Sequence, residues 1–91
     1  MQVKVKTWGT IQEIVGEREF SLEFPSGAKV GNLLDQLVSE HNDKLRGELY
    51  KPGTKQVRPY VKILVNGHGA RPEHKLKDGD TVAIFPPVGG G

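Results

Sequence analysis

The sequence predicts an α+β domain in which four to five strands form a sheet and one main helix packs on one of its faces. Two observations carry this. Segments 3–7, 18–24, 60–65 and 81–85 alternate apolar and polar residues with period two, as half-buried strands require, while 30–41 repeats its apolar residues at helical spacing. A length of 91 residues supplies one modest core and leaves no room for a second domain. Residues 1–86 are read as that domain and 87–91 as a flexible, glycine-rich tail.

The first strand, Val3-Lys4-Val5-Lys6-Thr7, turns Val3 and Val5 inward. By the same alternation Trp8 lies toward the outer face, where it either packs under a neighbouring loop or anchors a partner. Ile11, Ile14 and Val15 share one side of a short helical segment that Gly16 stops. In the second strand Phe20, Leu22 and Phe24 face the core, and Pro25-Ser26-Gly27 ends it. Val30, Leu33, Leu34, Leu37 and Val38 form the apolar stripe of the main helix, which is about 18 Å long at about 1.5 Å per residue. Its start is poorly signalled, because Lys29 is a weak N-cap and Gly31 falls in the first turn. Tertiary packing must hold it.

Leu45 and Leu49 suggest one further helical turn, after which Lys51-Pro52-Gly53-Thr54-Lys55-Gln56 reads as an exposed loop. The strand from Tyr60 to Val65 buries Val61, Ile63 and Val65 and turns Lys62 and Leu64 outward. Asn66-Gly67 is a hairpin turn signal, and Pro72 restricts 68–76 to a short edge strand or an irregular crossing. Lys77-Asp78-Gly79-Asp80 turns the chain into the last strand, with Val82 and Ile84 inward and Ala83 and Phe85 outward.

Composition removes several function classes. There are no cysteines, which excludes disulfides, thiolate metal sites and cysteine nucleophiles on this chain. The 13 basic and 11 acidic residues are scattered, without the basic run or aromatic array of a nucleic-acid binder. No segment approaches the roughly 20 apolar residues of a membrane span, and the amino terminus carries no leader pattern, so a cytoplasmic location is expected. His41, His68 and His74 match no zinc spacing, and His41 falls at a helix end where histidine caps carbonyls. The 67–72 segment lacks the Lys-Ser/Thr pair of a phosphate loop. Asp78 and Asp80 flank a turn glycine, where aspartate bonds the local backbone.

The chain ends Phe85-Pro86-Pro87-Val88-Gly89-Gly90-Gly91. Successive glycines pack nothing and lose the most entropy on ordering, so stability does not explain them. The two prolines stop the preceding strand and favour a stiff, extended arm. From Pro87 onward the tail reaches about 16 Å when extended, enough to enter another protein's cleft.

The stretch from Asp78-Gly79-Asp80-Thr81-Val82-Ala83-Ile84 through Gly91 resembles the ending of the small subunit of molybdopterin synthase, the MoaD-type, ubiquitin-like sulfur carriers of the MoaD/ThiS superfamily. Glu13-Ile14-Val15-Gly16, the Val30-Gly31 helix start with Leu33-Leu34, and Val65-Asn66-Gly67 extend the resemblance over most of the chain. Two features depart from it: Gly89 makes a third terminal glycine, and 46–60 is longer than in the shortest members.

The resemblance implies a β-grasp fold with a mixed sheet, and a non-catalytic role. An adenylyltransferase similar to ubiquitin-activating enzymes would use ATP and magnesium to adenylate the Gly91 carboxylate, with no cofactor bound to this chain. A sulfur donor protein would then form the thiocarboxylate, and the molybdopterin synthase large subunit would take the tail into its active site to sulfurate a pterin precursor for the molybdenum or tungsten cofactor. Gly90, Gly89, Val88, Pro87, Pro86 and Phe85 would contact such partners. Trp8, Leu64 and Phe85, expected on the face opposite the helix, would form the docking patch. A protein modifier joined to target lysines through Gly91, a carrier for tRNA thiolation, and an interaction module with an inert tail are the other readings of the same features.

Overall fold

The computed structural model describes residues 1–41 and 43–86. Its elements are β1 (Gln2–Thr7), α1 (Gly9–Val15), β2 (Glu19–Glu23), α2 (Val30–Glu40), α3 (Asp43–Leu49), β3 (Lys62–Val65), β4 (His68–Gly69) and β5 (Thr81–Phe85). They form a mixed, five-stranded sheet in the order β2-β1-β5-β3-β4, with β1 and β5 parallel and the other pairs antiparallel. This is the ubiquitin-like β-grasp arrangement.

The strand patterns explain the layering. Val3 and Val5 of β1 and Val82 and Ile84 of β5 are fully buried, and they join Val30, Leu33, Leu34 and Leu37 of α2 in a single core. Leu45 and Leu49 of α3 and Ile11 of α1 belong to the same core. Gly16 stops α1 in the left-handed region at φ 91°, with its N–H donating to the Gln12 carbonyl at 2.7 Å. His41 occupies the C-cap of α2, where its backbone N–H donates to Leu37.

The weak start of α2 is compensated from far along the chain. Val30 N–H donates to the His74 carbonyl and Gly31 N–H to the Pro72 carbonyl, each at 2.9 Å. Asn32 Oδ1 accepts the Lys29 N–H at 2.8 Å. Backbone donors that a helix start leaves open are therefore satisfied by the 72–74 crossing and by one side chain in the first turn. Gly31 permits that crossing: a Cβ there would sit 3.3 Å from the Pro72 carbonyl oxygen.

One strand differs from expectation, while 68–76 is, as expected, a short edge strand and an irregular crossing. The strand predicted from Tyr60 begins at Lys62, and Tyr60 is 75% exposed. Lys62 pairs with Phe85, the last residue of β5, and Pro86 has no N–H to extend the ladder, so β3 has no neighbour upstream. The 68–76 segment resolves into the two-residue edge strand β4, then a crossing that makes an isolated bridge between Lys29 and Lys75. Asn66 and Gly67, with φ of 52° and 84°, form the tight β3–β4 turn.

The 46–60 segment is tied down rather than loose. Lys51 N–H bonds the Gln56 carbonyl and Arg58 N–H bonds Leu49, while the Tyr50 hydroxyl donates to Asp35 Oδ1 of α2 at 2.9 Å. Lys55 Nζ lies 3.5 Å from the other Asp35 oxygen. Among the described residues, no helix is long and apolar enough to cross a membrane.

Candidate functional site

The last turn before β5 is fixed by carboxylates. Asp78 Oδ1 accepts the Gln2 N–H at 2.7 Å, joining the turn to β1. Asp80, buried, accepts from Lys77 N–H at 2.8 Å and from the Asn66 side-chain amide at 2.9 Å. Asn66 Oδ1 in turn accepts the Thr81 N–H at 3.0 Å. These aspartates hold backbone, as their turn context predicts, and set the register in which β5 enters the sheet.

With that register fixed, alternation along β5 puts Phe85 on the face opposite α2, between its two neighbouring strands. On the β1 side, Trp8 stacks on Phe85 with ring centroids 4.2 Å apart and planes 12° from parallel. Trp8 stands just beyond β1, at the N-cap of α1. The Arg18 guanidinium lies 5.3 Å from the Trp8 ring centroid and its Nε donates to Gln12 Oε1 at 2.8 Å, so the indole is held between Phe85 and a tethered cation. On the β3 side, Phe85, Leu64, Tyr60, Lys62 and Pro86 line a mostly apolar hollow of about 260 Å³.

The structure thus brings Trp8, Phe85 and Leu64 together on the face where strand alternation placed them, with Pro86 beside them. Trp8 and Leu64 flank Phe85 from opposite sides, and all four side chains are half-buried. The expected residues Pro87, Val88, Gly89, Gly90 and Gly91 lie outside the described residues. Sequence reasoning missed three neighbours. Tyr60 was expected within a strand but forms the exposed rim of the hollow. Arg18 and Gly9 were not singled out, although Gly9 meets the Pro86 ring directly.

A β-grasp domain with an apolar outer face at the end of its central carboxy-terminal strand defines a ubiquitin-like protein. Residues 5–91 match the ThiS family, and the chain belongs to it. It is 36% identical to small archaeal modifier protein 3 of Haloferax volcanii and 34% identical to the molybdopterin synthase sulfur carrier subunit of Chlamydomonas reinhardtii, each alignment covering all of both chains. The crystal structure of SAMP1 from Haloferax volcanii superposes with a TM-score of 0.87 at 28% identity over all of both chains. A chain in the complex of subunits 1 and 2 of molybdopterin-converting factor from Helicobacter pylori gives 0.62 at 26% identity, again over all of both. This likeness agrees with the MoaD/ThiS resemblance of the terminal motif.

Proposed function

We propose that this chain is the non-catalytic sulfur-carrier subunit of a molybdopterin synthase, acting in the cytoplasm. The observation that carries the reading is the apolar face around Phe85, joined through Pro86 to the Pro87-Val88-Gly89-Gly90-Gly91 end. A partner docked on that face would have Pro86, where the chain leaves the sheet, at its edge. The Gly91 carboxylate is a poor electrophile. An adenylyltransferase resembling ubiquitin-activating enzymes, using ATP and magnesium, lets a carboxylate oxygen attack the α-phosphorus and expels pyrophosphate. A sulfur donor protein then supplies sulfur at the sulfide level: the new carbon–sulfur bond forms as the bond to AMP breaks. The thiocarboxylate is a nucleophile that needs no cysteine on this chain. It enters the active site of the large subunit, which transfers the sulfur to a pterin precursor.

The Chlamydomonas relative and the Helicobacter complex support this reading. The likeness to small archaeal modifier protein 3 and to SAMP1 favours a second one, in which the activated Gly91 forms an isopeptide bond with target lysines. Incubation of the full chain with its activating enzyme, ATP and sulfide, followed by intact-mass measurement, tests the first, and immunoblotting of cell extracts for the chain tests the second. One oxygen-to-sulfur exchange at Gly91 is the result expected of a carrier, and high-mass conjugates in cells are the result expected of a modifier. Deletion of Gly91 should abolish whichever occurs; activity that survives it removes Gly91 as the reactive residue.

A further inference from the structure

The sheet has two outer edges, and they are not equally protected. At one of them β4 is two residues long, and the chain that follows is committed to α2: the His74 and Pro72 carbonyls accept from Val30 and Gly31, and Lys75 bridges Lys29. At the other edge β2 runs from Glu19 to Glu23 without a proline or a glycine, and β1 is its one neighbour in the sheet among the described residues.

The register shows what that edge offers. Phe24 N–H donates to the Met1 carbonyl and Thr7 N–H to the Arg18 carbonyl, each at 2.9 Å. Hydrogen-bonded pairs alternate along an antiparallel ladder, so Arg18, Phe20, Leu22 and Phe24 direct their backbone groups at β1. Glu19, Ser21 and Glu23 direct theirs away from the sheet, which leaves a row of N–H and carbonyl groups that a further strand can bond. Phe20 and Leu22 are only half-buried, although their cross-strand partners Val5 and Val3 are fully buried. A further strand would cover that remaining apolar surface, and such burial is favourable.

Charge selects the occupant. In an antiparallel pair of two copies centred on Ser21, Glu19 of each chain would stand opposite Glu23 of the other, and like charges so placed destabilise a ladder. Lys4 and Lys6 lie 3.6 and 3.7 Å from Glu19, and the terminal ammonium lies 3.8 Å from Glu23, yet the two glutamate side chains are 49% and 75% exposed, so these ion pairs are weak. We propose that the β2 edge takes an extended basic segment of a partner protein by antiparallel strand addition. Lys or Arg of the segment stands opposite Glu19 and Glu23, and β-branched side chains stand opposite Phe20 and Leu22. Phe85 lies two strands further in, roughly 10 Å at about 4.8 Å per strand, so the added strand leaves its face uncovered. The inference does not depend on activation of Gly91.

The probe is the capped peptide Val-Lys-Val-Thr-Val-Lys-Val, whose threonine aligns with Ser21 and whose lysines then meet both glutamates. Nuclear magnetic resonance titration of the full chain should give a dissociation constant on the order of 1 mM or below. With peptide at about ten times that constant, amide exchange at Glu19, Ser21 and Glu23 should slow about tenfold, while Phe20 and Leu22, already bonded to β1, stay unchanged. The same peptide with glutamate in place of both lysines should bind at least about tenfold more weakly. Glu19→Gln with Glu23→Gln should erase that preference. Ser21→Pro removes an outward N–H that the ladder does not use, so the domain stays folded and binding is lost. No binding, slowed exchange at other amides, equal binding of the two peptides by the unaltered chain, or unchanged binding by a folded Ser21→Pro variant each overturns the proposal. If Ser21→Pro does not fold, the exchange pattern decides. The same three amides slowed by self-association without peptide would assign the edge to a second copy and overturn it as well.

Discussion

Phe85 contacts Trp8 on one flank and lines the hollow with Leu64 on the other, and Pro86 follows it in the chain. Truncating it removes an aromatic pair worth about 0.5–1.5 kcal/mol beyond its area, yet the fully buried residues of β1, α2 and β5 stay intact. Phe85→Ala should therefore leave a cooperatively folded domain while, under the proposed function, weakening binding to a large subunit by about 2 kcal/mol or more, roughly 30-fold. Urea unfolding and calorimetric titration give the two numbers; equal losses in both would make Phe85 a packing residue only. Tyr50 offers a second test. Burial, then its hydrogen bond to Asp35 and the charge of that carboxylate, push its phenol above the ordinary tyrosine range, with Arg46 pulling weakly the other way. The folded state thus favours the neutral phenol. Its contribution is fully present below about pH 10 and is lost as the pH rises above that, because the unfolded chain then releases the proton first. Tyr50→Phe should flatten the loss of stability above about pH 10, measured by urea unfolding at several pH values. Parallel curves for the two proteins would show that the phenol does not contribute.

Among the elements, α2 shows where local sequence stops being informative. Its apolar stripe was legible because helical spacing is a local property, and Val30, Leu33, Leu34 and Leu37 are all buried as that spacing requires. Its start was not legible. The carbonyls that satisfy Val30 and Gly31 come from His74 and Pro72, which no window around residue 30 contains. The same limit applies to Tyr60, since the end of β3 is decided by Pro86 across the sheet, and to Gly9, whose partner is again Pro86. By contrast, Trp8, Leu64 and Phe85 could be assigned to one face because strand alternation carries over from each strand to the next residue. Propensity alone makes Gly31→Ala stabilising by about 1 kcal/mol. The Pro72 carbonyl at 3.3 Å from the new Cβ, held by the Gly31 N–H itself, opposes that gain. Urea unfolding is expected to show no stabilisation, and a full gain would mean that the 72–74 crossing yields without cost.

At the scale of the whole molecule, the fold separates what keeps the domain together from what the proposed chemistry needs. The fully buried side chains of the described residues run from Val3 to Ile84, and the face around Phe85 lies on the other side of the sheet. A chain cut after Pro86 retains that core, both central strands and the Trp8–Phe85 stack. Reading 87–91 as a glycine-rich arm predicts a thermal midpoint within about 2 °C of that of the full chain, a difference in stability of no more than about 0.5 kcal/mol. Under the proposed function its affinity for a large subunit should fall, with binding through the Phe85 face remaining measurable. Differential scanning calorimetry and titration on the same preparation separate the terms. A midpoint lowered by many degrees would place residues 87–91 in the stabilising core, while complete loss of binding would move the docking role from the face to the tail.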